Sequence, residues 1–171
     1  MKLIKNNIIK ILFGILIFTS FSSCDEGGDP KPGGTTTQDF AGDWFITISN
    51  AAGVVQYDHA IHSTYNTAAN DNTMWIDDNP LQNKIPNGWY LKGKITLNVA
   101  DGTFSGISQP NLNDPGSTVI ISEGKIEKGA GLSKAGHVVD KISFKAVFSY
   151  DPATKLTFVG HKRTGFKEDE Y

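Results

Sequence analysis

The sequence of 171 residues holds a single cysteine, two methionines and one arginine, Arg163. A lone cysteine excludes an intramolecular disulfide, so burial of apolar surface must hold the fold. Basic residues number 16 against 18 acidic ones, a formal net charge of -2. No basic excess is present to neutralise phosphates, which disfavours nucleic-acid binding. No stretch shows a long helical period, and no unit of solenoid or propeller length repeats. Hydrolase signatures are scarce. There is no Gly-x-Ser-x-Gly, and Gly102-Thr103-Phe104-Ser105-Gly106 has the wrong spacing for a nucleophile elbow. His-Glu-x-x-His is absent as well. One domain is the default at this length. What the chain does hold is 18 glycines, 10 phenylalanines, 5 tyrosines and 3 tryptophans, a mix suited to a β-rich domain with many turns.

Residues 1–23 read as a secretory signal. Lys2, Lys5 and Lys10 precede the apolar run Ile11-Leu12-Phe13-Gly14-Ile15-Leu16-Ile17-Phe18, which is too short to span a bilayer comfortably. Small and polar residues lead to Cys24. Phe21-Ser22-Ser23-Cys24 resembles the bacterial lipoprotein lipobox. The resemblance implies diacylglyceryl transfer to the Cys24 thiol, cleavage before it, and acylation of the new amine. A free thiol after an ordinary signal is the alternative. Several acyl chains on one residue anchor firmly where one chain binds marginally.

Residues 24–39 then form the acylated cysteine and a flexible tether, rich in Gly, Pro and Thr and without apolar periodicity. Removing residues 1–23 takes three lysines and no acid, so the mature chain is more acidic than the whole. The acids after Cys24 resemble the surface-export signal of Bacteroidota lipoproteins, which implies an outer-membrane protein at the cell surface. The periplasm-facing leaflet is the alternative.

From residue 40 to 171 the pattern is period 2. Trp44, Ile46 and Ile48 share one face of a strand; Val55, Tyr57, His59 and Ile61 share one face of the next. Met74 and Ile76 oppose Trp75 and Asp77. Trp89, Leu91, Ile95, Leu97 and Val99 align, with Gly93 on their face marking a bend or close approach. Asp101-Gly102 reads as a hairpin turn into Thr103-Phe104-Ser105. A strand over 117–127 centres on Val119, Ile120 and Ile121, and Val138, Ile142, Phe144, Ala146 and Phe148 alternate with Lys141, Ser143 and Lys145 along 137–150. Asp151-Pro152 is a turn, followed by Leu156-Thr157-Phe158-Val159. The expectation is an all-β, antiparallel barrel of roughly eight strands, with a β-sandwich as the alternative.

Gly42-Asp43-Trp44 opening the first strand, with Arg163 after the last, resembles the calycin signature. That likeness implies closure of one barrel end by Trp44 packed on Arg163. Three further segments carry a more specific resemblance. They are Thr64-Tyr65-Asn66-Thr67 with Trp75-Ile76-Asp77-Asp78, then Val139-Asp140-Lys141-Ile142-Ser143-Phe144, and the terminal block 160–171. With the lipobox, they are similar to Bacteroidota lipoproteins labelled "lipid-binding putative hydrolase", a lipocalin-like barrel family. The resemblance implies the barrel and an apolar ligand more firmly than a reaction.

His59 and His62 point to opposite faces of a strand, so they do not share a metal. Asp77 and Asp78 beside Trp75 suggest a carboxylate-plus-aromatic site, against the simpler reading of a turn with side-chain-to-backbone hydrogen bonds. Glu168-Asp169-Glu170 is a solvated terminus, or it folds back onto Arg163 or Lys162. No catalytic residue, cofactor or metal is assigned. A small hydrophobic or lipid-like ligand is the expected partner, with Tyr65, Trp75, Trp89, Asp77 and His161 as its contacts and Cys24 as the membrane anchor. A hydrolase of a lipid ester or glycan, and an accessory subunit of a surface uptake complex, are the alternatives.

Overall fold

A computed structural model describes residues 34–79 and 89–171. The signal segment and Cys24 lie outside these residues. The compact unit is Thr35–Tyr171. After a 3-10 turn η1 (Gln38–Phe40) come eight strands: β1 (Gly42–Ser49), β2 (Val55–Asn66), β3 (Thr73–Asp77), β4 (Lys92–Asn98), β5 (Thr103–Pro110), β6 (Thr118–Leu132), β7 (Val138–Phe148) and β8 (Asp151–Lys162). A second 3-10 turn, η2 (Lys167–Asp169), ends the chain. Each strand pairs antiparallel with the next and β8 returns to β1, so the sheet closes into a barrel in sequence order. The all-β barrel expected from alternation is the fold, and closure leaves no sheet edge.

Alternation selects the inner face. Trp44, Ile46, Ile48, Met74, Ile76, Ile95, Leu97, Val119, Ile121, Ile142, Phe144 and Phe158 are all buried. Phe144 and Phe158, cross-strand partners, stack with ring centroids 4.4 Å apart. Gly93 is a close approach as expected: a Cβ there would lie 3.1 Å from Val119 Cγ1. Gly160 is tighter, since a Cβ would meet the Phe45 carbonyl oxygen at 2.1 Å.

Simple alternation fails where the strands bulge. His59, Ser108 and Glu123 have positive φ and sit at register shifts. An extra residue resets the phase of the pleat. On β2, Ala60, His62 and Thr64 therefore face inward, and Ile61 does not share the face of Tyr57. On β6 the same device keeps Glu123 and Lys125 outside while Gly124 and Ile126 go in. Two boundaries also differ from the pattern. The last turn is at Ser149-Tyr150, and Asp151-Pro152 already belongs to β8. Residues 89–91 precede β4 rather than extending it.

One end of the barrel, here the lower end, is closed by η1. Phe40 packs against the core, and Gly102 lets the β4–β5 turn sit close to its ring. Trp44 Nε1–H donates to Thr64 Oγ1 (2.9 Å), and the Thr64 hydroxyl donates to the Phe40 carbonyl (2.7 Å). Trp44 thus closes this end. The cation over its indole, however, is Lys162, with Nζ 5.9 Å from the ring centroid. Arg163 lies instead over Phe45, at 5.7 Å. The reason is pleat geometry: Lys162 is the cross-strand partner of Trp44, and its chain neighbour Arg163 points to the opposite face.

Candidate functional site

Four side-chain clusters stand out. The first is on the outer wall. Tyr65 and Trp75 are cross-strand partners, and Asp77 sits two residues further along β3 on the same face. The Tyr65 hydroxyl donates to Asp77 Oδ2 (2.8 Å), and Lys92 Nζ reaches the same oxygen at 2.9 Å. Burial pushes the Asp77 carboxyl up, but Lys92, the Asn79 N–H, Tyr65 and Asn113 outweigh it and hold Asp77 below the usual range. The hydrogen bond to Asp77 raises Lys92 above its ordinary value. The structure thus brings Tyr65, Trp75 and Asp77 together, on the outside of the barrel.

The second cluster is at the upper end, opposite η1. Asp78 is fully buried there. Its carboxylate accepts the Leu91 N–H (2.8 Å) and the Asn113 amide (2.8 Å), and Asn113 also bonds Asp77 Oδ1 (3.0 Å). Burial, with the Asp77 charge adding to it, pushes Asp78 up to about 6. The Asn79 N–H caps Asp77 (3.0 Å), so this corner has the side-chain-to-backbone bonds expected of a turn. Asn111 ties the β5–β6 loop to the β3–β4 loop through the Lys92 N–H and the Tyr90 carbonyl. Tyr150, on the β7–β8 turn, stacks on buried Phe148. Burial and the charges of Asp114, Asp151 and Asp78 push its phenol up to about 12. Around these groups the rim is apolar: Val54, Val55, Tyr90, Leu112 and Tyr150 are exposed, and Trp89 packs partly against the core.

The third cluster is the C-terminal tail, folded back onto the outer wall. Tyr171 stacks on His59 with centroids 3.5 Å apart and meets Phe45 edge-on at 4.9 Å. His161 lies against both Phe45 and Tyr171, and burial lowers its basicity. It faces neither the interior nor the upper rim. Asp169, expected in solvent or folded back, is buried. It accepts the Ala135 N–H (2.8 Å) and the Thr164 hydroxyl (2.7 Å), and it contacts His137 Nδ1 (2.9 Å). Burial alone would raise its carboxyl; these donors, with Ser133, hold it far below the usual range.

Ser133, His137 and Asp169 are the residue types of a nucleophilic triad. Their geometry is different. Ser133 Oγ (3.4 Å) and Asp169 Oδ2 (2.9 Å) both approach the same ring nitrogen, His137 Nδ1. A triad needs the base and its orienting acid on opposite nitrogens, so this cluster pins a hairpin to the tail and passes no proton from the serine.

The fourth feature is His62, in the interior. It is 1% exposed, its Nε2 has no hydrogen-bond partner, and its ring meets Phe158 edge-on at 5.8 Å. Burial lowers it to about 4, so the ring is neutral at ordinary pH. Among the described residues no group of three or more His, Cys, Asp or Glu side chains is placed to hold a metal ion. A groove of about 580 Å³ runs along the outer wall between β4 and β5, lined by Thr96, Asn98, Thr103, Ser105 and Glu123, among others. Leu97, Phe104 and Gly124 also line it, so its wall is mixed rather than polar, and it is an open depression on the outside of the sheet.

With the closed barrel and its apolar upper rim in view, the comparison with known families is decisive. The model of the family described as "Lipid-binding putative hydrolase" matches residues 29–167. The chain belongs to this family. The family and the eight-stranded barrel together support lipid binding. No curated protein matches the sequence. Of the residues expected to contact the ligand, Trp89 and Asp77 stand at the upper end, Asp77 through its bond to Asn113; Tyr65, Trp75 and His161 lie on the outer wall. Asp78 lies in the Trp75-Ile76-Asp77-Asp78 segment that the sequence singles out, whereas Asn113 and Tyr150 carry no motif. Asn113 meets Asp78 across 35 residues of chain, a separation no local pattern reveals.

Proposed function

We propose that the protein is an envelope lipoprotein, anchored through Cys24, that binds a small amphipathic lipid at the upper end of its barrel. The observation carrying this reading is the apolar rim of Val54, Val55, Tyr90, Leu112 and Tyr150 around a polar corner. Apolar burial of order 25 cal/mol per Å² supplies the driving force, less the cost of immobilising the guest. The neutral Tyr150 phenol is a hydrogen-bond donor, and Asp114 and Asp151 place negative charge beside it. Such a corner repels an anionic headgroup and suits an uncharged or zwitterionic one. Trp89, beside the rim, belongs to this contact; the outer-wall trio of Tyr65, Trp75 and Asp77 and the tail-covered His161 do not take part. Binding without turnover is the reading that the His137 geometry favours.

The test is native mass spectrometry of the purified protein incubated with a lipid extract and followed over time. An intact lipid adduct that weakens in Leu112→Asp and Val54→Asp supports the reading. Loss of the adduct with appearance of free fatty acid would replace it with a hydrolase. A spectrum without adducts, together with a stable co-purifying protein, would replace it with an accessory role in an uptake complex.

A further inference from the structure

The lower end of the barrel carries a second apolar surface, remote from the rim that binds the ligand. The β6–β7 hairpin runs past the barrel wall, and at its tip Leu132 and Val138 are cross-strand partners. They are 64% and 71% exposed, the latter among the highest values of any large apolar residue described. Phe166, 56% exposed, lies on the tail side of the same hairpin, its ring centroid 5.8 Å from that of His137. Lys134 lies in the turn between Leu132 and Val138, and exposed Lys167 follows Phe166. Single exposed apolar residues need no explanation, but an exposed cross-strand apolar pair at a hairpin tip does.

The tip is held rigidly. The Ser133 N–H bonds the His137 carbonyl (2.9 Å), buried Asp169 accepts the Ala135 N–H (2.8 Å), and Lys134 Nζ donates to the Glu170 carbonyl. A rigid apolar cluster binds a surface without first ordering itself, which saves the entropy that a mobile loop would lose.

The position of the N-terminus identifies what the cluster meets. Thr36 bonds Asn70 and Asp71 in the β2–β3 turn, and Lys128, at the root of the hairpin, donates to the Asp39 carbonyl. Residue 35 therefore starts at the lower end, the end of the hairpin tip. The stretch from Cys24 to Thr35 spans at most about 40 Å even when fully extended. An acyl group on Cys24 keeps residue 35, and with it the lower end, within that reach of the bilayer.

We propose that the β6–β7 tip is a membrane-docking element: the cross-strand pair Leu132 and Val138 enters the lipid surface. The proposal rests on acylation of Cys24. It turns the upper rim away from the membrane. The overall negative charge opposes a close approach to an anionic surface, so the docking rests on apolar insertion of the tip.

The experiment uses the acylated full protein in vesicles of phosphatidylethanolamine and phosphatidylglycerol. Leu132→Cys, Val138→Cys, Leu112→Cys and Val54→Cys each receive a nitroxide, since an acylated Cys24 takes no label. β-sheet circular dichroism checks that each labelled protein is folded. The expected result is loss of nickel-chelate accessibility and gain of oxygen accessibility at 132 and 138, with 112 and 54 remaining open to the chelate. Equal chelate accessibility at all four positions overturns the proposal, as does shielding at 112 and 54 instead. A label on Cys24, with protein washing off the vesicles, overturns the anchor and the docking together. That outcome is distinct from failure of ligand binding, which leaves the anchor in place and shows only as the missing adduct.

Discussion

Arg163 and Glu170 meet through two parallel hydrogen bonds, Nε–H to Oε1 and Nη2–H to Oε2, each 2.7 Å long. The guanidinium lies over Phe45 while it holds Glu170, so the only arginine of the chain clasps the C-terminal tail to the barrel wall. Bidentate pairing of this kind needs the planar fork, and a lysine does not reproduce it.

The clasp leads to the first expectation. Glu170→Gln and Arg163→Lys each loosen residues 164–171. Hydrogen exchange should quicken at the Asp169 amide, which bonds the Phe166 carbonyl at 3.0 Å, while amides of β3 and β4 keep their protection. Unchanged exchange at Asp169 would show that Tyr171 and Asp169 hold the tail without the arginine.

The second concerns pH. His62 has a folded value of about 4, below its unfolded value near 6.5, so the folded state binds fewer protons between these limits. Its contribution is full above pH 6.5 and is lost as pH falls toward 4. Asp78, raised to about 6 from an unfolded value near 3.8, acts in the opposite sense: its contribution is lost as pH rises through that window. Between pH 6 and 4 the two nearly cancel. His62→Gln leaves only the Asp78 slope, and acidification over this range should stabilise the variant relative to wild type by about 2 kcal/mol. Urea unfolding at the two pH values reads this difference; parallel curves for both proteins would contradict it.

A third expectation concerns Gly160. A Cβ at this position would lie 2.1 Å from the Phe45 carbonyl oxygen and 2.8 Å from Ile46 Cγ1. The first is backbone of a paired strand and cannot turn aside. Gly160→Ala should therefore cost about 3 kcal/mol or more by forcing β1 and β8 apart. Gly53→Ala, where nothing lies within 4 Å, is the comparison: it meets only the φ of +77°. Thermal melts that rank the two variants the other way would refute the close-approach account.

The last expectation is for the interior. Phe158 stacks on Phe144 at 4.4 Å and meets His62 edge-on. Phe158→Ala should cost about 3–5 kcal/mol, the loss of a buried ring plus the space left behind. Xenon or benzene binding to the variant, absent in wild type, would report that space directly; a loss under about 1 kcal/mol would mean that the interior collapses to fill it.

Much of the barrel could be read from the chain. Met74 and Ile76 against Trp75 and Asp77, or Phe144 and Ala146 against Ser143 and Lys145, take their sides from period-2 alternation alone. The bulges at His59, Ser108 and Glu123 could not be read, because one inserted residue changes the phase of the pleat without any residue type that announces it. The candidate site was less legible for a related reason. Alternation showed that Trp75 and Asp77 share a face, but not whether that face is inside. Closure of the sheet put it outside.

The sequence by itself determined that the domain is all-β, that no disulfide holds it, and that it resembles a family of lipid-binding barrels; these follow from composition, periodicity and motif, which are local properties. Tertiary structure alone decided that Lys162 rather than Arg163 covers Trp44, and that Asp169 is buried beneath a hairpin. It also decided that Asn113 clamps Asp78 across 35 residues of chain. Those facts depend on barrel closure, which brings residues distant in sequence into contact and fixes the face that each one presents.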